Sequence, residues 1–355
     1  MKRGKTGTAL IGVLLFLAAA CSHTENGIVP AVRDDVALPP GLSERVLALD
    51  PHAISGEEVT GILSKCPAPR IILLNGSFSI VSMESFAKFL VLMGYPEASL
   101  RDRGTGSYTY SSYRNSRELA GMVAWYYEAE GMRPMVIGHS QGGMVSIKIL
   151  HELAGAFSNR VAVWNPLSEK EEDRDTIVDP LTGQERPVLG LTLGFASAAA
   201  TGKPMRVLLG QWGMLSRLRE IPDTVEEFNG YHLQGDLLSG TLFGVGAGDS
   251  YFPRGSARVR NVILPRECGH IGLPLTEDLA RNPEAREWIQ KYVPVSDHPW
   301  GGLGFEGSHG RNVVFAAEMW YSIRKQWCLE LQRWIGATRK LQAPISKLQI
   351  PNKHQ

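Results

Sequence analysis

A serine hydroxyl becomes a nucleophile where a base can take its proton and a crowded turn lifts it clear of the backbone. Residues 135–143 (MVIGHSQGG) have the composition for such a turn. Ser140 lies between Gly138 and Gly142 in the pattern G-x-S-x-G, after an apolar run and before the helical stretch GGMVSIKILHEL. Glycines two before and two after leave room for the backbone, and the helix N-terminus aims its amides at developing negative charge. His270 is the candidate general base, since an imidazole takes and returns a proton near neutrality. It follows the apolar run 260–264 in a loop that ends Gly269-His270. Asp249, which closes the glycine run after residues 241–245, is expected to hold the imidazole's tautomer; Asp236 and Glu267 are rivals for that role. His139 is set aside as a base, because an elbow neighbour of Ser140 points away from it. The oxyanion needs two amide donors. One is the backbone N–H of Gln141, and the other comes from the loop 75–78, with Ser77 first and Phe78 second. Together these groups suit two-step acyl transfer through a covalent intermediate on Ser140.

Such side chains need elements to carry them. Residues 70–75, 134–138, 160–165, 241–245 and 260–264 read as strands, and 82–94, 115–131 and 142–155 as helices. Alternating strands and helices predict βαβ units and a mainly parallel sheet, with its site at the carboxyl ends of the strands. Residues 167–240 interrupt the alternation and read as an inserted cap. Within it, 190–200 is either a buried core helix or a mobile lid, and 204–220 is a mixed helical segment. Residues 295–355 form a C-terminal extension with a glycine-rich loop at 300–307 and a long amphipathic helix near 313–338. The expected division is therefore 1–20 leader, 21–45 tether, 46–166 first part of the core, 167–240 cap, 241–294 second part of the core, and 295–355 extension.

The motifs NGSF, GHSQGG, GVGAGDSYFP and ECGH stand in the order of the α/β-hydrolase superfamily, over residues 68–290 without the cap. The chain resembles that superfamily, and GHSQGG is most similar to the elbow of bacterial lipases and esterases. The resemblance implies an α/β-hydrolase fold with an eight-stranded, mostly parallel central sheet flanked by helices. It also implies hydrolysis of carboxylic esters, small or lipid, without a cofactor or metal. Asn75 departs from the pattern, because many members carry His before the oxyanion glycine. The serine motif alone does not separate esters from amides or thioesters, so a peptidase or thioesterase is the alternative, and a non-catalytic envelope binding protein is a second. The run Gly244-Val-Gly-Ala-Gly248 does not fit G-x-G-x-x-G, which argues against a dinucleotide.

Composition narrows the classes further. The 355 residues carry 37 basic and 36 acidic side chains, without the basic excess that phosphate contacts require, so no nucleic-acid partner is expected. Lys2, Arg3 and Lys5 precede an apolar run over 9–20, too short to span a bilayer and suited to a secretory signal. The run leads into Cys21, which resembles the lipobox of bacterial lipoproteins although Ala18 stands where Leu is usual. The resemblance implies cleavage before Cys21, its lipidation and, because Ser22 is not Asp, an outer-membrane location in the cell envelope. Loss of residues 1–20 leaves 34 basic against 36 acidic residues, so attachment would rest on acyl chains rather than on a polybasic patch. Cys66, Cys268 and Cys328 allow at most one disulfide, and the absence of a CxxC or Cys/His cluster argues against structural zinc.

Overall fold

The computed structural model describes residues 38–77, 81–202, 210–242, 245–264, 266–294 and 310–342. The leader, Cys21, Phe78 and the glycine-rich loop 300–307 lie outside the described residues. Five parallel strands form the central sheet: β1 (Ile71–Leu74), β2 (Met135–His139), β3 (Leu193–Ala199), β4 (Val225–Leu233) and β5 (Arg258–Leu264). They lie side by side in chain order. The pairs Leu74↔Gly138, His139↔Ala199, Ala199↔Tyr231 and Leu264↔Leu233 align all five carboxyl ends. A residue that closely follows any strand therefore reaches the same rim.

Period-two alternation sends side chains to opposite faces. Ile72, Leu74, Val136, Ala196 and Phe228 pack against α4 (Ser116–Glu130) and α5 (Gln141–Leu153). Ile71, Leu73, Ile137, Phe195 and Tyr231 pack on the other face against the remaining helices. These are α1 (Leu42–Leu47), α2 (Gly56–Gly61), α3 (Glu84–Leu92), α6 (Glu277–Arg281), α7 (Pro283–Lys291) and α8 (Val313–Gln342). Local signals account for the ends of α4: the Asn115 side chain accepts from the Arg117 N–H, and Gly131 closes the helix at φ 77°.

Four expectations need correction. Residues 167–240 are not a cap, because they contain β3 and β4 of the central sheet. The stretch 190–200 is a strand buried on both faces rather than a helix, and such a strand shows no alternation to read. Its small residues reflect crowding: a Cβ on Gly143 of α5 would stand 3.0 Å from the Ala198 Cβ. Residues 160–165 give only the pair Trp164–Asn165, antiparallel to Lys170–Glu171 and outside the sheet. Val161 and Val163 owe their apolar character to burial against α4. Residues 241–245 contain no strand where they are described. Thr241 instead closes a turn, donating its N–H to the Asp236 carbonyl at 2.8 Å and accepting from Gly235 N at 2.9 Å.

The C-terminal segment is no appendage either. Residues 313–328 of α8 are buried all round, which suits a helix inside the core. Trp320 and Trp327 are fully buried, and truncation of such a residue costs about 3–5 kcal/mol. Its polar residues are matched from the sheet: Lys325 Nζ reaches Glu227 at 2.5 Å, Asn229 Nδ2 donates to Ser322 Oγ at 2.9 Å, and Arg133 pairs with Glu330. The sheet of the described residues has five strands where the resemblance implies eight; the chain before β1 is helical from Leu42 onward. No helix among the described residues is long and apolar enough to cross a membrane. Cys66, Cys268 and Cys328 are buried and not joined in a disulfide among the described residues, and burial pushes their thiols up to about 11, 12 and 12.

Candidate active site

Between β2 and α5 the backbone turns sharply at Ser140, which takes φ 53° and ψ −115°. A non-glycine residue in this region is strained, and the surroundings must hold it. They do so through the Ser140 N–H, which donates to Ala199 O at 2.8 Å, and through Thr201 Oγ1, which donates to Ser140 O at 3.0 Å. The flanking glycines are a steric requirement. A Cβ on Gly138 would stand 2.1 Å from Gly142 O, and one on Gly142 would stand 2.3 Å from Leu74 O. No side chain caps the N-terminus of α5. The amides of Gln141 and Gly142 thus lack both a side-chain cap and intrahelical partners, whereas those of Gly143 and Met144 donate to Ser140 O.

His270 sits six residues beyond the end of β5 and meets Ser140 directly, with Nε2 2.9 Å from Oγ. Its Nδ1 lies 2.6 Å from Oδ2 of Asp236, three residues beyond β4. With the Nδ1 proton donated to the carboxylate, Nε2 is left to accept from the serine hydroxyl. All three groups are largely withdrawn from water: Ser140 is 6% exposed, and the His270 and Asp236 side chains are 10% and 6% exposed. Burial pushes the Asp236 carboxyl up, but the hydrogen bond from His270 and its charge outweigh burial, so the net shift is downward. The Leu238 N–H, donated to Oδ1 at 2.9 Å, adds to this.

Asp249 is not the partner of His270. Its Oδ2 accepts the Gly246 N–H at 2.9 Å, in the short turn Ala247–Asp249. Glu267 is exposed. The correction from Asp249 to Asp236 follows from the sheet: the described residues of 241–245 form no strand ahead of Asp249, whereas β4 ends just ahead of Asp236. No protein-family model matches this chain, and no curated protein matches it either.

Around the hydroxyl, the loop after β1 lies close to the elbow. A Cβ on Gly76 would be 3.6 Å from the Ser140 Cβ. Ser77 is the next residue and is half-buried. Gln141 and Ser112 tie loop and elbow together: Gln141 Nε2 donates to Ser112 O at 3.3 Å, and Ser112 Oγ to Gly76 O at 3.1 Å. Asn75 shapes the same loop from within, accepting the Met83 N–H at 2.8 Å and donating to Thr109 Oγ1 at 3.0 Å. Thr201 escaped the sequence reading, and His139 was weighed there only as a base. Thr201 follows a strand that was not recognised, and the contact of His139 with the His270 carbonyl has no local signature. Among the described residues no group of three His, Cys, Asp or Glu could hold a metal ion. A cavity of about 650 Å³ lies by the opposite ends of β4 and β5. Three of its cations, Arg258, Lys325 and Arg333, pair with its own Glu226 and Glu227.

Buried histidines give the fold a pH dependence with a definite sign. Burial lowers His139 to about 3 and lowers His151 and His232 as well. Below about pH 6.5 the unfolded chain binds protons that the folded protein refuses, so stability is full above that value and falls toward pH 3. His139 alone is expected to remove about 2 kcal/mol between pH 7 and pH 5. Burial pushes the Glu330 carboxyl up to about 7, which shifts stability the opposite way over the same range. The check therefore compares the pH 7 to pH 5 change in urea midpoint of the wild type with that of His139→Leu, and a wild-type midpoint that falls no more than the variant's contradicts it.

Proposed function

We propose that this chain is a serine hydrolase that cleaves carboxylic esters through an acyl-enzyme on Ser140. One observation carries the reading: a hydroxyl on a strained turn meets the imidazole of His270 at 2.9 Å, and Asp236 holds that imidazole at 2.6 Å. His270 takes the proton as Ser140 attacks the carbonyl, returns it to the leaving group, and then activates water. The developing oxyanion is received by the backbone N–H of Gln141 and by that of Ser77 in the adjoining loop.

The finer fold reading, an α/β-hydrolase, belongs to the same proposal. It is supported by serine, acid and histidine in that chain order, each following a strand of one parallel sheet. An apolar acyl group is supported by the residues beside the triad. Leu237 and Leu238 follow Asp236 at 69% and 47% exposure, and Ile271 follows His270 at 54%. Cys21, with the leader before it, supports anchoring of the protein by acyl chains to a bacterial envelope membrane, near lipid esters.

The test is labelling with a fluorophosphonate, peptide mapping of the adduct, and turnover of p-nitrophenyl esters of increasing chain length. The proposal expects the adduct on Ser140 and measurable ester turnover. An adduct without turnover of any ester would move the reading to amides or thioesters. A folded protein that takes no label and turns over nothing would leave the fold as a binding module and overturn the proposal.

A further inference from the structure

The residue before the nucleophile is a histidine whose ring does not face solvent or the serine hydroxyl. His139 ends β2 and is fully buried. Its Nε2 lies 2.9 Å from the main-chain carbonyl oxygen of His270, and the two rings meet edge to face with centroids 5.0 Å apart. A carbonyl oxygen only accepts, so His139 must donate from Nε2. Its Nδ1 is buried without a hydrogen-bond partner and faces Gly76, where a Cβ would come within 3.1 Å. A proton on that nitrogen would find no acceptor, and burial holds the ring neutral.

We propose that His139 is the positioning residue for the base: its Nε2–H grips the backbone of His270 and thereby fixes where the catalytic imidazole stands against Ser140. This rests on the reading of Ser140 and His270 given above. The segment that carries His270 needs such a grip. After β5 the described residues before His270 form the single turn Arg266–Cys268, and Gly269 sits at φ 65°. Further along, Asn312 Nδ2 donates to Gly272 O, which secures the loop two residues past the imidazole. Asp236 controls the ring of His270, whereas His139 controls its main chain. Because His139 is covalently next to Ser140, a shift of the elbow carries the base with it. Gly76 completes the arrangement, since a side chain there would press on the His139 ring and reach toward Ser140.

A displacement of about 1 Å in such a pair lowers turnover about 10²-fold. Replacement of His139 by Leu, which fills the space without a donor, is expected to lower kcat about 10–100-fold with KM little changed. His139→Gln places an amide N–H near the same point and is expected to restore most of the loss. Full kcat in His139→Leu overturns the proposal, as does equal loss in the Leu and Gln variants. A second measurement needs no variant and no turnover. In the wild-type protein, imidazole nitrogen resonances should show His139 with its proton on Nε2, unchanged from about pH 8 to 5. A proton on Nδ1, or titration within that range, overturns the proposal even if the protein is active. Active wild type with a failed His139 test leaves the hydrolase reading standing, whereas inert wild type removes both.

Discussion

Asp236→Asn is expected to lower kcat by about 10⁴, while Asp249→Asn stays within about threefold of wild type. The asymmetry follows from the proton on Nδ1 of His270. A carboxylate at 2.6 Å accepts that proton and leaves Nε2 free to take the one on Ser140. An amide can present its N–H₂ to Nδ1 instead, which puts the imidazole proton on Nε2, where it faces the serine and blocks deprotonation. Geometry survives and chemistry does not. Because the three groups act as one unit, Ser140→Ala should lose activity to a similar floor, and the double variant Ser140→Ala/Asp236→Asn should lose little more. Asp249 accepts the Gly246 N–H of its own turn, while both ring nitrogens of His270 are taken by Asp236 and Ser140, so an amide at 249 leaves the triad's hydrogen bonds in place. Ester turnover of the four variants at fixed pH decides the matter. Comparable losses at 236 and 249 would remove Asp236 from its assigned role.

Gly142→Ala is expected to destabilise the protein by at least about 3 kcal/mol, because overpacking against backbone has no side chain to push aside. The new methyl would stand 2.3 Å from Leu74 O and 2.5 Å from Asn75 O, inside the atoms that end β1 and begin the loop to Ser77. For a chain of this size the melting temperature should fall by roughly 4 °C or more. The relief would come from moving the 75–77 loop away from Ser140, so activity should fall with stability. Gly336→Ala in α8 is the matched comparison, since a Cβ there meets nothing within 4 Å. That change should raise stability by about 0.5–1 kcal/mol, as removal of a helical glycine does. Calorimetric melting of both variants provides the readout, and a Gly142→Ala protein that melts like wild type would contradict the steric account.

Ser140 and His270 were legible in the sequence because each carries a local mark: glycines at fixed offsets for the turn, and Gly269-His270 just past an apolar strand. Asp236 was ranked below Asp249 because its strand was disguised. β4 reads VEEFNGYHL, and Glu227 and Asn229 break the apolar pattern that a central strand usually shows. Those polar residues face α8, where Lys325 and Ser322 answer them across about 95 positions of chain. Nothing near residue 227 announces a partner so distant. β3 failed for the opposite reason: its run of small residues fits a helix as well as a strand until α5 and α8 are laid against it. The length of α8 was visible from its period, but not what it buries.

That last helix also sets when this protein can become itself. In chain order α8 follows all five strands, and part of one side of the sheet stays uncovered until residues 313–342 dock. Lys325, Ser322 and Glu330 then match Glu227, Asn229 and Arg133, which had waited with unmet charges and hydrogen bonds since the middle of the chain. A nascent chain short of that point holds a half-covered apolar surface and cannot close into a finished globule. Compaction, and with it the clasp of elbow and base, waits for residues 313–342.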